Sequence, residues 1–154
     1  MMVRHCFSYV VYGNNSKYFD PIFKNNQILK ASKLEYTIII FAYISSNLSE
    51  RLKREENILV VDIPKNLQKL KRLARFLAPN FVSAEFYHYR DSDSLITKAE
   101  LDIVLLQEAL SLPATIIRNH PLHFAPILAG LFSLEQSFAN ELRNISLKPT
   151  IRYQ

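Results

Sequence analysis

Asp91 and Asp93 flank Ser92 at the end of an apolar stretch, residues 81–89 (FVSAEFYHY). Residues two apart on an extended chain project to the same side. Two carboxylates at close range repel unless a cation or a hydrogen-bond donor settles them. Hard divalent cations such as Mg²⁺ and Mn²⁺ take carboxylate oxygens and share their shell with substrate phosphates. An Asp-x-Asp pair at a strand end could therefore bridge a metal to a diphosphate. The plainer reading is a polar turn between strand and helix, where Asp and Ser serve their own local hydrogen bonds.

Several further side chains could join that chemistry. Arg118 suits a phosphate contact and, equally, an ion pair to Asp91 or Asp93. His120 and His123 have a spacing that chelates metal on a helix. Pro121 between them favours a hydrogen-bonded pair that supports the site instead. Arg75 falls one residue off the apolar stripe of its segment, so it faces either solvent or a ligand. Glu100, three residues after Thr97, has capping-box spacing and reads as a helix cap before a catalytic acid. His5 and His88 have no partner that the sequence makes visible.

Composition narrows the field. The chain has 154 residues, about one domain's worth, with 49% hydrophobic and 21% charged residues. That excludes a disordered tail, a collagen-like rod and a charged coiled coil. It has only two glycines, Gly13 and Gly130, against roughly eleven at average usage. Glycine-rich phosphate loops need more, closer together. A bound nucleotide would have to be held without a glycine cradle, and a metal at Asp91 and Asp93 would meet that need. The net charge of +5 attracts anions in general. The basic face of residues 65–75 could in principle follow a phosphate backbone. No RNA-recognition aromatic signature accompanies it, and nucleic acid is disfavoured. Cys6 is the only cysteine, which excludes an internal disulfide and points to a reducing, cytoplasmic compartment. It reads as a small buried apolar residue. No apolar run reaches membrane-spanning length, and residues 1–13 read as a first strand, not a signal peptide.

The elements that must position these residues follow from hydrophobic patterning. Residues 7–12 predict a strand ending at Gly13. Residues 16–32 have helical spacing, with the helix proper beginning near Pro21. Residues 36–44 (YTIIIFAYI) and 57–63 (NILVVDI) predict strands buried on both faces. Residues 47–54 predict a short polar helix. Residues 65–78 predict the clearest helix, with Leu67, Leu70, Leu73, Ala74 and Leu77 in one stripe. Residues 81–89 predict a strand and 97–110 a helix capped by Thr97, with Leu101, Val104, Leu105 and Ala109 facing inward. Residues 112–118 predict a strand and 137–143 a helix. Strands alternate with helices throughout. This predicts a single α/β domain over residues 1–154, a mainly parallel sheet covered by helices on both faces, with right-handed crossovers. Ligands bind such sheets at the carboxyl ends of the strands, where Asp91 and Asp93 fall.

Read together, Arg90-Asp91-Ser92-Asp93-Ser94, Glu100, Arg118-Asn119-His120-Pro121-Leu122-His123 and Pro126-Ile127-Leu128-Ala129-Gly130 resemble a known family. It is the glycosyltransferase-related family of GT-A-like fold found in bacterial polysaccharide loci and large viruses. The likeness extends to residues 7–13 (FSYVVYG), Lys17-Tyr18, Asn25-Asn26 and Arg75-Phe76-Leu77-Ala78. It implies a GT-A-like (Rossmann-like) domain that binds a nucleotide-sugar donor through Mn²⁺ or Mg²⁺ and transfers the sugar to a glycan acceptor. It implies Tyr12, Gly13, Arg75, Arg90, Asp91, Arg118 and His120 at the donor and Asp91 and Asp93 at the metal. No catalytic residue is assigned. Asn119 stands where the family usually has Asp. Ala129-Gly130-Leu131-Phe132 replaces a Gly-Gly followed by an aromatic Trp segment. Nothing in residues 136–154 matches the family's acceptor-side region, so the acceptor half is expected to be reduced or absent. The alternative reading is then a catalytically inactive GT-A-like remnant that binds a nucleotide or a partner chain. An unrelated α/β module with a basic face is a third. A missing half would also leave an apolar patch over residues 124–132, open to self-association or another subunit.

Overall fold

β-Branched and aromatic residues suit a pleated, packed surface, and runs of them form the strands. The computed structural model describes residues 2–63, 65–117 and 131–147. Its elements are β1 (Val3–Tyr12), α1 (Ser16–Ser32), β2 (Tyr36–Tyr43), α2 (Ser46–Lys53), β3 (Ile58–Asp62), a 3₁₀ helix (Lys65–Asn80), β4 (Ala84–Arg90), α3 (Lys98–Ala109), β5 (Ala114–Ile116), β6 (Leu131–Glu135) and α4 (Gln136–Leu147). The strands form one sheet in the order β3-β2-β1-β4-β6-β5. β1 pairs in parallel with β2 and β4, and β2 with β3. β6 is antiparallel to both β4 and β5, so it alone runs against the rest. This is the mainly parallel, Rossmann-like α/β architecture expected from the sequence.

Two cores lie on opposite faces of the sheet. Cys6, Val10, Ile39 and Phe41 pack with Ala74 and Leu77 of the 3₁₀ helix and Ala139 of α4. Phe7, Tyr9, Ile38 and Ile40 pack with Ile22 and Leu29 of α1, Leu52 of α2 and Val104 of α3. Alternate residues of β1 and β2 thus serve alternate faces, and their uninterrupted apolar runs follow from burial on both sides. Cys6 is buried in the first of these cores, and burial pushes its thiol far above its ordinary value.

Four local expectations change. The first helix begins at Ser16, not near Pro21, because the Asn15 side chain caps it by accepting from the Lys17 N–H at 3.0 Å. Pro21, inside the helix, then removes one backbone hydrogen bond. β3 is not buried on both faces: it is the sheet's edge strand, and Leu59 is 39% exposed. Residues 65–80 wind as a 3₁₀ helix in which Ala74, Arg75, Phe76, Leu77 and Ala78 are all buried while Leu73 is exposed. In α3, Glu100, Val104 and Gln107 face inward, and Leu105 and Ala109 face solvent. The sheet beneath α3 presents His5, His88 and Arg90, so the helix turns its polar side to them.

Candidate functional site: a cleft at the ends of β1 and β4

The chain leaves β1 for β2 and β3 on one side, while β4 lies on the other. The strand order therefore reverses between β1 and β4, and a crevice opens beyond the carboxyl ends of those two strands. A cleft of about 360 Å³ lies there, lined by Val10, Tyr12, Tyr18, Arg72, Arg75, Asp91, Ser92 and Asp93. The topology thus brings together Tyr12 at the end of β1, Arg75 from the 3₁₀ helix and both aspartates that follow β4.

Arg75 is not a solvated surface residue. Its side chain is 3% exposed, carried inward by the buried run around it. Its guanidinium donates to the Arg90 carbonyl at 3.0 Å and to Asp91 Oδ1 at 2.9 Å. Its own carbonyl accepts from the Ser8 hydroxyl of β1 at 2.7 Å. One end of Asp91 is thereby fixed to the sheet while the carboxylate stays half exposed. Asp93 is partly exposed as well, with Lys17 Nζ 3.9 Å away. Neither carboxylate has a described partner that consumes both its oxygens.

The loop carrying the aspartates is anchored from behind. Arg90 is buried and donates to Glu100 Oε1 at 2.8 Å, with both side chains 5% exposed. It also donates to Ser94 Oγ and the Leu95 carbonyl, each at 3.3 Å. Burial works against the charge on Arg90, but Tyr9 and Glu100 outweigh it and raise its pKa. Glu100 completes the expected capping box: Thr97 N–H donates to its carboxylate at 2.6 Å, and its N–H donates to Thr97 Oγ1 at 3.3 Å. Asn25 of α1 clamps the same loop, donating to the Ser94 carbonyl at 2.9 Å and accepting from the Ile96 N–H at 2.8 Å. Arg90 is therefore a brace for the loop and does not line the cleft.

Tyr12 stacks on Tyr43 with ring centroids 4.8 Å apart. Burial, with Tyr43 beside it, pushes its hydroxyl up to about 12 against the pull of Arg75 and Arg72, so it stays neutral. Gly13 turns the chain away from β1 with a positive φ of 61°, and its N–H donates to the Tyr43 carbonyl at 3.0 Å. Arg118, His120 and His123 lie outside the described residues. The two ends of that segment lie together, with the Ile117 N–H on the Leu131 carbonyl at 2.9 Å and Leu131 opposite Arg90. Of residues 124–132, the described part is Leu131, half-buried, and Phe132, buried against Phe76 and Tyr89.

Sequence reasoning did not single out Arg72, Ser92 or the clamping role of Asn25. The signal for Arg72 is its spacing: residues three apart eclipse on a 3₁₀ helix, so Arg72 follows Arg75 to the cleft. Asn25 belongs to the matched Asn25-Asn26 pair, but nothing pointed to its clamp, because its partners are 69 and 71 residues away. No protein-family model and no curated protein matches this sequence.

Proposed function

We propose that this cleft binds the diphosphate of a nucleotide-sugar together with a divalent cation, and that the protein is a metal-dependent glycosyltransferase of the kind its sequence resembles. The observation that carries the reading is that Asp91, Asp93 and a buried, pre-set Arg75 line one cleft at the reversal point of the sheet. The donor set fits the metal: two partly exposed carboxylates are hard oxygen ligands. Among the described residues, no cluster of three or more His, Cys, Asp or Glu side chains is placed to hold a metal. An ion held by Asp91 and Asp93 would complete its shell with water and phosphate oxygens, as Mg²⁺ and Mn²⁺ do. The cation, when bound, neutralises charge that builds on the leaving diphosphate.

The chain's own groups have separable tasks in this reading. Arg75 presents a guanidinium already oriented by the Arg90 carbonyl and Asp91, so little entropy is lost when it meets an anion. Tyr12 and Tyr18 offer aromatic surface beside it. Two arginines and two aspartates leave the cleft walls close to neutral. A diphosphate alone gains little there, and diphosphate plus divalent cation is the balanced occupant.

A thermal-shift titration tests this. A nucleoside diphosphate with Mn²⁺ should raise the unfolding midpoint, by roughly 5–10 °C at about 100 times Kd. Either component alone should not, and Asp93→Ala should abolish the rise. A metal-independent shift, or none with any nucleoside diphosphate, overturns the proposal. Release of free sugar from a nucleotide-sugar then separates turnover from binding alone.

A further inference from the structure

The sheet ends on β5, and among the described residues no strand lies beyond it. The Ile117 N–H donates to the Leu131 carbonyl and the Glu135 N–H to the Pro113 carbonyl, each at 2.9 Å. Residues 113, 115 and 117 therefore turn their backbone groups to β6, while Ala114 and Ile116 turn theirs to the open edge. An open edge is a template for another strand, and proteins guard such edges with charge. The far edge is guarded in this way: Lys53 pairs with Asp62 of β3 and with Glu50, and Lys30 pairs with Glu56 just before β3. The β5 edge is not. No charged residue occurs from Ala109 to Ile117.

We propose that β5 pairs antiparallel with β5 of a second copy of this chain, about a two-fold axis that passes through Thr115. The register follows from which backbone groups are free. Ala114 of each copy exchanges both its backbone bonds with Ile116 of the partner subunit, and Thr115 stands opposite its own copy. The contact uses the same patch on both chains, so it closes as a dimer and leaves no edge open there. A patch without charge fits a partner without charge, and the chain's own edge is such a partner.

Apolar groups flank this edge on both faces of the sheet. On one face, Gln107 of α3 accepts from Thr115 Oγ1 of β5 at 3.2 Å. Glu108 turns instead to β1, where it meets Arg4 and His5; the other ring nitrogen of His5 lies 3.0 Å from His88. Successive helical residues are about 100° apart. Leu106 and Leu110 thus fall on the side of Gln107 away from Glu108, toward the open edge, and they are 51% and 59% exposed. On the other face, Ile116 is 43% exposed and borders a groove of about 320 Å³ lined by Phe76, Phe132, Leu134 and Leu142. The axis stands perpendicular to the sheet, so it sets α3 beside the partner's α3 and groove beside groove. Their burial supplies what the backbone bonds alone do not. β6 is antiparallel to both β4 and β5, so β5 runs with β4. The joined sheet then carries its two clefts at opposite ends, both open.

Sedimentation of the full chain over a concentration series tests the edge, and a monomer–dimer equilibrium is expected. Ala114→Pro removes an outward N–H that β6 does not use, a change that edge strands tolerate. It should weaken the dimer about tenfold or more. Leu106→Glu should weaken it too, by setting carboxylates near the axis, and Leu59→Lys on the far edge should not. Thr115→Cys should form a disulfide between copies, because opposed residues of such a pair have Cα atoms about 4.5 Å apart. The only native cysteine, Cys6, is buried and does not compete. A monomer at every concentration overturns the proposal. So does a dimer that both Ala114→Pro and Leu106→Glu leave intact, or one in which Leu59→Cys cross-links as readily as Thr115→Cys.

Discussion

At the scale of single residues, the site depends on side chains that never touch its cleft. Arg90 is a charge buried between β4 and α3, and Glu100 is its counter-ion. A buried pair gains little over an apolar one, but removing one partner strands the other, at a cost of about 3–5 kcal/mol. Glu100→Ala is therefore expected to cost that much in urea unfolding, with loss of the Thr97 capping bond adding to it. A loss below about 1 kcal/mol would mean Arg90 finds another partner. The capping role of Glu100 was legible three residues from Thr97. The ion pair was not, since Arg90 meets it only when β4 and α3 pack. Arg75 shows the same limit. Helical spacing places it beside the apolar stripe, but only the buried stretch of 3₁₀ helix decides that it points inward to Asp91.

At the scale of elements, a strand's apolar run does not reveal its place in the sheet. Residues 36–44 and 57–63 read alike, yet β2 lies between β1 and β3 while β3 is an edge. The difference is energetic. Ile40 is fully buried, and Ile40→Ala should cost about 2–5 kcal/mol in denaturant unfolding. Leu59 is 39% exposed, and Leu59→Ala should cost less than about half as much. Equal losses would contradict the observed sheet order. α3 makes the complementary point. Its leucines suggest an apolar inner face, but a helix packs according to what lies beneath it, and here the sheet offers histidines and an arginine.

At the scale of the whole molecule, burial sets a pH dependence. Burial lowers the pKa of both His5 and His88 below the ordinary 6.5. The unfolded chain then binds more protons than the folded one at pH below 6.5. Their contribution to stability is complete above that value and declines as pH falls toward the folded pKa values. Burial also pushes Glu108 up, but its bonds from His5 and Arg4 outweigh that and hold it below its ordinary range, so its share is lost only at still lower pH. The unfolding free energy read from urea titrations should therefore fall between pH 7 and 5.5, by up to about 1.4 kcal/mol per pH unit for each histidine. A flat profile over that window would show that the pair is not buried neutral. The sequence by itself determined the alternation of strand and helix, the α/β class and the acidic pair at a strand end. Those follow from periodicity and turn chemistry, which act between near neighbours. Only the tertiary structure decided the strand order, and so the cleft between β1 and β4, the inward Arg75 and the meeting of His5 with His88. Each depends on which strand lies beside which and in what register, and that is set by packing both faces of the sheet at once.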